Sequence, residues 1–206
     1  MLMIKNMDDF EVNPYSRMDN VFRFSDTKLI ERESDLHHVG AMIFLSLCLI
    51  DDIRMYYKDE TLIDENVLFA KIIHHDLNEI VDIPRTMKYH DQAFRDMVEK
   101  VSDQMMLEYG LPQSRLDKVH TSKHDNTLEG ELCQLLDMLQ CNVTLRHEFY
   151  LQRTPTMKAR YIESLKNTIK NFNGRINHDA CSKIKERLCE YRDLIQKELG
   201  KVEAMN

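Results

Sequence analysis

Helix breakers are scarce in this chain, with only 5 glycines and 4 prolines among 206 residues. A glycine inside a helix costs about 1 kcal/mol relative to alanine and a proline about 3 kcal/mol. Long stretches free of both can therefore run as unbroken helices. Within those stretches the apolar residues recur every three or four positions, the period of a helix with one buried face. The fold class that follows is all-α, a bundle of about seven or eight helices. At this length one domain with a substantial core is expected over 1–206, its core at about 20–150 and packing helices at 155–200.

The punctuation places the helices. A short one is expected over 14–24, and a strongly apolar one from about Leu36 to Tyr57, with Ser34 or Asp35 as its N-cap. Asp64 can cap a second, from Glu65 to about Glu79, before a loop from Pro84 to about His90. Another runs near Asp91–Tyr109 and stops at Gly110-Leu111-Pro112. After a polar stretch, a long helix spans about Thr127–Phe149. Two more, Met157–Phe172 and His178–Leu199, are expected to be split at Asn173-Gly174.

Charge and cysteine usage narrow the function class. A net charge of −7 provides no basic footprint for duplex nucleic acid, yet leaves room for a nucleotide held by one metal and an arginine. The five cysteines, Cys48, Cys133, Cys141, Cys181 and Cys189, include no CxxC pair. Four lie in apolar helical patterns as small hydrophobes, so a reducing, cytoplasmic setting is the simplest. Asp8 and Asp9 argue against a signal peptide. The longest apolar run, Val39 to Ile50, is too short to span a bilayer and reads as a core helix.

Three oddities carry the chemistry. The dipeptide His-Asp occurs at positions 75, 90, 124 and 178, so the bare pair means little. Only His75-Asp76 ends an apolar helix. Leu68, Ile72, His75 and Glu79 share one stripe there, with Asp76 beside it. A carboxylate buried in such a place needs a cation or a donor network. Asp137 stands among leucines in a breaker-free helix, either on a narrow exposed strip or held inside for a purpose. His37-His38 opens the most apolar helix. His38 shares a face with Met42, Leu45 and Leu49, and His37 with Ala41, Phe44 and Cys48, and periodicity does not choose between them. Singly, each such residue is ordinarily a hydrogen-bonded core or capping group. Together they offer imidazoles and carboxylates from three helices, a donor mix suited to Mn, Fe, Co, Ni or Zn and unlike a Cys-rich structural zinc site.

The order His, then adjacent His-Asp, then a distant Asp resembles the HD-domain phosphohydrolase superfamily. Arg23-Phe24-Ser25 followed by Glu33-Ser34-Asp35-Leu36-His37-His38 is similar to its Arg-aromatic-Ser and Glu-Ser-x-x-Glu-His patterns. In that register His38 is the first metal histidine. His75-Asp76-Leu77-Asn78-Glu79, then Asp82-Ile83-Pro84, then Lys88-Tyr89 resemble the bacterial 5'-deoxynucleotidase group, as does Thr127-Leu128-Glu129 leading to Asp137. The resemblance covers about residues 22–145.

The resemblance implies an HD-domain helical bundle in which His38, His75, Asp76 and Asp137 hold one divalent metal. Glu79 and Asp82 become the candidates for proton transfer and for orienting water. Arg23, Phe24 and Lys88 become the substrate-binding candidates. The implied reaction is hydrolysis of a deoxynucleoside 5'-monophosphate to nucleoside and phosphate. The alternatives are an HD-type hydrolase of a deoxynucleoside triphosphate or signalling nucleotide, and a non-catalytic HD scaffold that binds a protein. The implied partner is a small nucleotide, with no duplex nucleic acid and no membrane. The residues after about 150 carry no motif and are read as packing helices that could also offer a homodimer surface.

Overall fold

The computed structural model describes residues 29–30, 34–75, 92–108, 110, 112–114, 116–117 and 126–205. Among them are six α-helices: α1 (Asp35–Tyr57), α2 (Glu65–His74), α3 (Gln92–Glu108), α4 (Leu128–Gln152), α5 (Pro155–Arg175) and α6 (Lys185–Ala204). A short 3-10 helix, Asp179–Ile184, precedes α6, and the described residues contain no strand. The expected all-α class holds. The helix expected over 14–24, the end of the second helix near Glu79 and the loop at 84–90 lie outside the described residues.

Side-chain caps set where the helices start. Ser34 Oγ accepts from the His37 N–H at 3.2 Å, which makes Ser34 rather than Asp35 the N-cap of α1. Asp64 Oδ1 accepts from Val67 N–H at 3.1 Å, and Thr127 Oγ1 from Gly130 N–H at 3.2 Å. Thr154 does the same for Met157 at 3.2 Å, with Pro155 in the first turn where its missing N–H costs nothing. Gly110 follows α3 with φ of 84°, a left-handed conformation that glycine adopts without penalty. Thr127→Ala removes one of these caps and should lower stability by about 1 kcal/mol, measured by urea denaturation. An unchanged midpoint would show that the cap contributes nothing.

One expected boundary is wrong. The chain does not break at Asn173-Gly174, because α5 continues through both to Arg175. Gly174 is the residue before last in α5, where it carries at most the roughly 1 kcal/mol cost of a helical glycine, and the residues around it are firmly held. Phe172 is fully buried and Ile176 nearly so. Arg175 reaches the buried Glu131 and Gln134 of α4.

The chain divides into two compact units, one of residues 1–40 and 70–124, the other of 41–69 and 125–206. In the first, the described part comprises the opening turn of α1, the end of α2 and α3, with Ile72, Met106 and Leu116 buried. In the second, α5 packs against both α4 and α6. Leu132, Leu136, Tyr161, Phe172 and Leu188 are buried there. The residues after 150 form α5 and α6 of this layer.

Polar pairs fix the register of the second unit. Asn142 Nδ2 donates to Thr168 Oγ1 at 2.8 Å, and Ser164 Oγ donates to Asn142 Oδ1 at 2.6 Å, joining α4 to α5. His178 Nδ1 lies 2.8 Å from Glu131 Oε1. Arg187 of α6 grips Asp52 of α1 with two donors, Nε at 2.6 Å and Nη2 at 2.5 Å. That guanidinium holds the Asp52 carboxyl below its usual range. Glu129 Oε1 accepts from the Asp64 N–H at 2.9 Å, tying the start of α4 to the start of α2.

Helix α1 runs 23 residues, longer than the apolar run inside it, and by length and composition alone could cross a membrane. Its Met42, Ile50 and Ile53 are fully buried and its Asp52 and Arg54 are ion-paired. Cys48 is exposed on α1. None of the five cysteines forms a disulfide, and burial pushes the Cys181 thiol up to about 11.

Candidate metal centre

The first turn of α1 decides which of the adjacent histidines faces inward. His38 is fully buried, whereas His37 is exposed. Each follows its stripe: Met42 and Leu49 below His38 are buried, and Phe44 and Cys48 below His37 are exposed. The Ser34 cap sets where this turn begins, its oxygen accepting from the N–H of His37 while the Ser34 carbonyl accepts from His38 N–H at 2.9 Å.

His75 sits at the end of α2, buried with Leu68 and Ile72 as the expected stripe requires. Its Nδ1 lies 2.6 Å from the Ile72 carbonyl oxygen. A carbonyl can only accept, so Nδ1 carries the proton and donates. In the neutral ring Nε2 is then left with its lone pair outward, the form a metal-binding histidine takes when a backbone carbonyl orients it.

The two rings meet at those outer nitrogens. His38 Nε2 lies 3.3 Å from His75 Nε2, with ring centroids 5.4 Å apart and planes inclined at 47°. Two bare lone pairs at this distance repel, so either a proton lies between them or a cation does. The spacing suits a cation. With metal–nitrogen bonds of ~2.1 Å, neighbouring ligand nitrogens lie about 3.0 Å apart at a right angle and about 3.4 Å apart at the tetrahedral angle.

Asp137 projects from the middle of α4, three turns beyond the Thr127 cap. It is half-buried, neither on an exposed strip nor fully enclosed. Its Oδ1 accepts from the Cys141 thiol, 3.8 Å away on the next turn. His38 and His75 offer two imidazoles and Asp137 one carboxylate, a donor set of the types that hold a metal ion. Its nitrogen–oxygen character suits a borderline divalent ion. Bound there, such an ion would act as a Lewis acid toward a phosphate oxygen and make a water a better nucleophile near neutral pH.

The comparisons with known proteins bear on the same residues. The model of the YfbR-like 5'-deoxynucleotidase family matches residues 12–149. The chain belongs to that family. The match takes in all three described donors and the whole expected motif series. No curated protein matches the chain. Among solved structures, an HD-domain phosphohydrolase from Listeria innocua aligns with a TM-score of 0.57 and 16% identity, covering 88% of this chain and 95% of that one. At that identity the likeness is one of fold. As a YfbR-like family member the protein is a hydrolase, a metal-dependent phosphohydrolase with an all-α HD fold.

Of the nine expected site residues, the structure describes His38, His75 and Asp137. Arg23, Phe24, Asp76, Glu79, Asp82 and Lys88 lie outside the described residues. Two further residues near the donors come from the structure. Lys71, one turn before His75, is 7% exposed, and nothing in the apolar pattern singles it out. Cys141 falls four residues after Asp137, a spacing that does announce a neighbour on the same helix face.

Proposed function

We propose that this YfbR-like protein hydrolyses deoxynucleoside 5'-monophosphates to nucleoside and inorganic phosphate. In this reading one divalent metal is held by His38, His75, Asp76 and Asp137. The observation that carries the metal is the opposed pair of imidazole nitrogens, one of them fixed by the Ile72 carbonyl. Family membership supports the substrate class. The chain's own residues divide the remaining work. Arg23 offers a planar fork of donors for the phosphate, and Phe24 and Lys88 line the nucleotide side. Glu79 or Asp82 takes a proton from the attacking water and returns one to the leaving 5'-oxygen.

A monophosphate is favoured over a triphosphate by what the sequence lacks. No glycine-rich phosphate loop or GK[ST] motif occurs in it. One metal and one arginine fork make a grip for a single phosphate. The test offers a deoxynucleoside monophosphate and its triphosphate at equal concentration, with products separated by chromatography. Nucleoside and phosphate from the monophosphate are expected. Intact tripolyphosphate, with the monophosphate untouched, would overturn the proposal in favour of a triphosphatase. Arg23→Ala should lower kcat/KM for the monophosphate by roughly 10- to 150-fold, the range for a charge-assisted contact worth about 1.5–3 kcal/mol, and keep its metal. An unchanged kcat/KM would remove Arg23 from the phosphate site.

A further inference from the structure

Asp137 has four side chains within one turn of it on its own helix face: Cys133, Gln134, Gln140 and Cys141. Gln134 accepts from Arg175 of α5, and Gln140 Nε2 donates to Thr144 Oγ1 at 3.0 Å. Cys133 is buried. Cys141, half-buried, turns its thiol toward Asp137 Oδ1 at 3.8 Å. We propose that Cys141 is a positioning residue for the metal site, holding one oxygen of the Asp137 carboxylate so that the other is presented to the ion. This rests on the reading of Asp137 as a metal ligand.

The choice of a thiol has a physical consequence. A ligating carboxylate works best when a neighbour orients it, and such outer partners commonly contribute 10–100-fold to metal affinity or activity. A lysine or arginine at this position would orient the carboxylate too, but as an ion pair that competes with the metal for the same charge. The S–H group is a weak, neutral donor. It limits the carboxylate's rotation and leaves its negative charge available. The hydrogen bond spans one turn of a single helix, so the device needs no other element to form it.

The experiment compares the native protein with Cys141→Ala, Cys141→Ser and Asp137→Ala, each stripped of metal and titrated with cobalt(II). Visible absorption reports coordination, and competition with a chelator gives the affinity. Cys141→Ala should bind cobalt roughly tenfold more weakly, at the low end of the outer-partner range because the donor is weak. Cys141→Ser keeps a donor and should stay within about threefold of native. The metal-free proteins should melt at matching temperatures, which a packing role for Cys141 would not allow. Equal affinity of native and Cys141→Ala overturns the proposal, and so does equal weakening in Ala and Ser. A sulfur-to-cobalt charge-transfer band that disappears in Cys141→Ala also overturns it, making the thiol a ligand. Asp137→Ala binding cobalt as tightly as native would instead remove Asp137 from the metal site, a separate outcome.

Discussion

Replacing His75 by alanine should leave the protein without its divalent metal and bring hydrolysis to background, while its circular dichroism stays helical. The loss should exceed the roughly 10–100-fold typical when only an outer partner of a metal ligand is removed, because a ligand itself goes. His38→Ala should behave alike, since the two Nε2 atoms face each other at 3.3 Å. His37→Ala, on the exposed side of the same turn, is the internal control and should keep both metal and activity. Metal content by mass spectrometry, alongside initial rates, separates these cases. Metal retained in His38→Ala but lost in His37→Ala would invert the register of α1. Metal retained in all three would end the metal-centre reading.

That control exists because the sequence leaves His37 and His38 tied. Both stripes are apolar: Ala41, Phe44 and Cys48 for one, Met42, Leu45 and Leu49 for the other. A period of 3.6 residues shows that a helix has a buried face, and composition chooses the face only when the alternatives differ in polarity. Here they do not. The packing of Met42, Ile50 and Ile53 decides, and that is a fact of three-dimensional structure. The helix starts were legible for the opposite reason. Ser34, Asp64 and Thr127 act through N–H groups three residues away, a contact wholly local in sequence. Asn173-Gly174 misled because a local penalty of about 1 kcal/mol competes with burial of Ile176 and pairing of Arg175. Neither gain has a local signature. Cys141 was legible in spacing but hidden among five cysteines of which four fit an apolar pattern.

Glu79→Ala should keep its metal and bind the nucleotide, yet lose turnover by roughly 10²–10⁴-fold, the contribution of a positioned acid or base. Glu79 falls four residues after His75, the interval at which side chains on a continuing helix share a face. In the proposed mechanism Glu79 moves a proton without occupying a ligand position. The variant therefore separates two kinds of loss. A ligand's removal costs metal and rate together, whereas a proton-transfer group costs rate alone, with the fall appearing in kcat and KM little changed. The pH profile should change with it, since the limb of the kcat profile that reports this carboxylate disappears when the carboxylate does. Asp82→Ala, measured in parallel, tells the two candidates apart. If Glu79→Ala turns over at near-native rate while Asp82→Ala falls by orders of magnitude, the proton passes through Asp82 and Glu79 is a helix-end residue. If both variants fall steeply with metal intact, the two carboxylates share the work, one on the attacking water and one on the leaving oxygen.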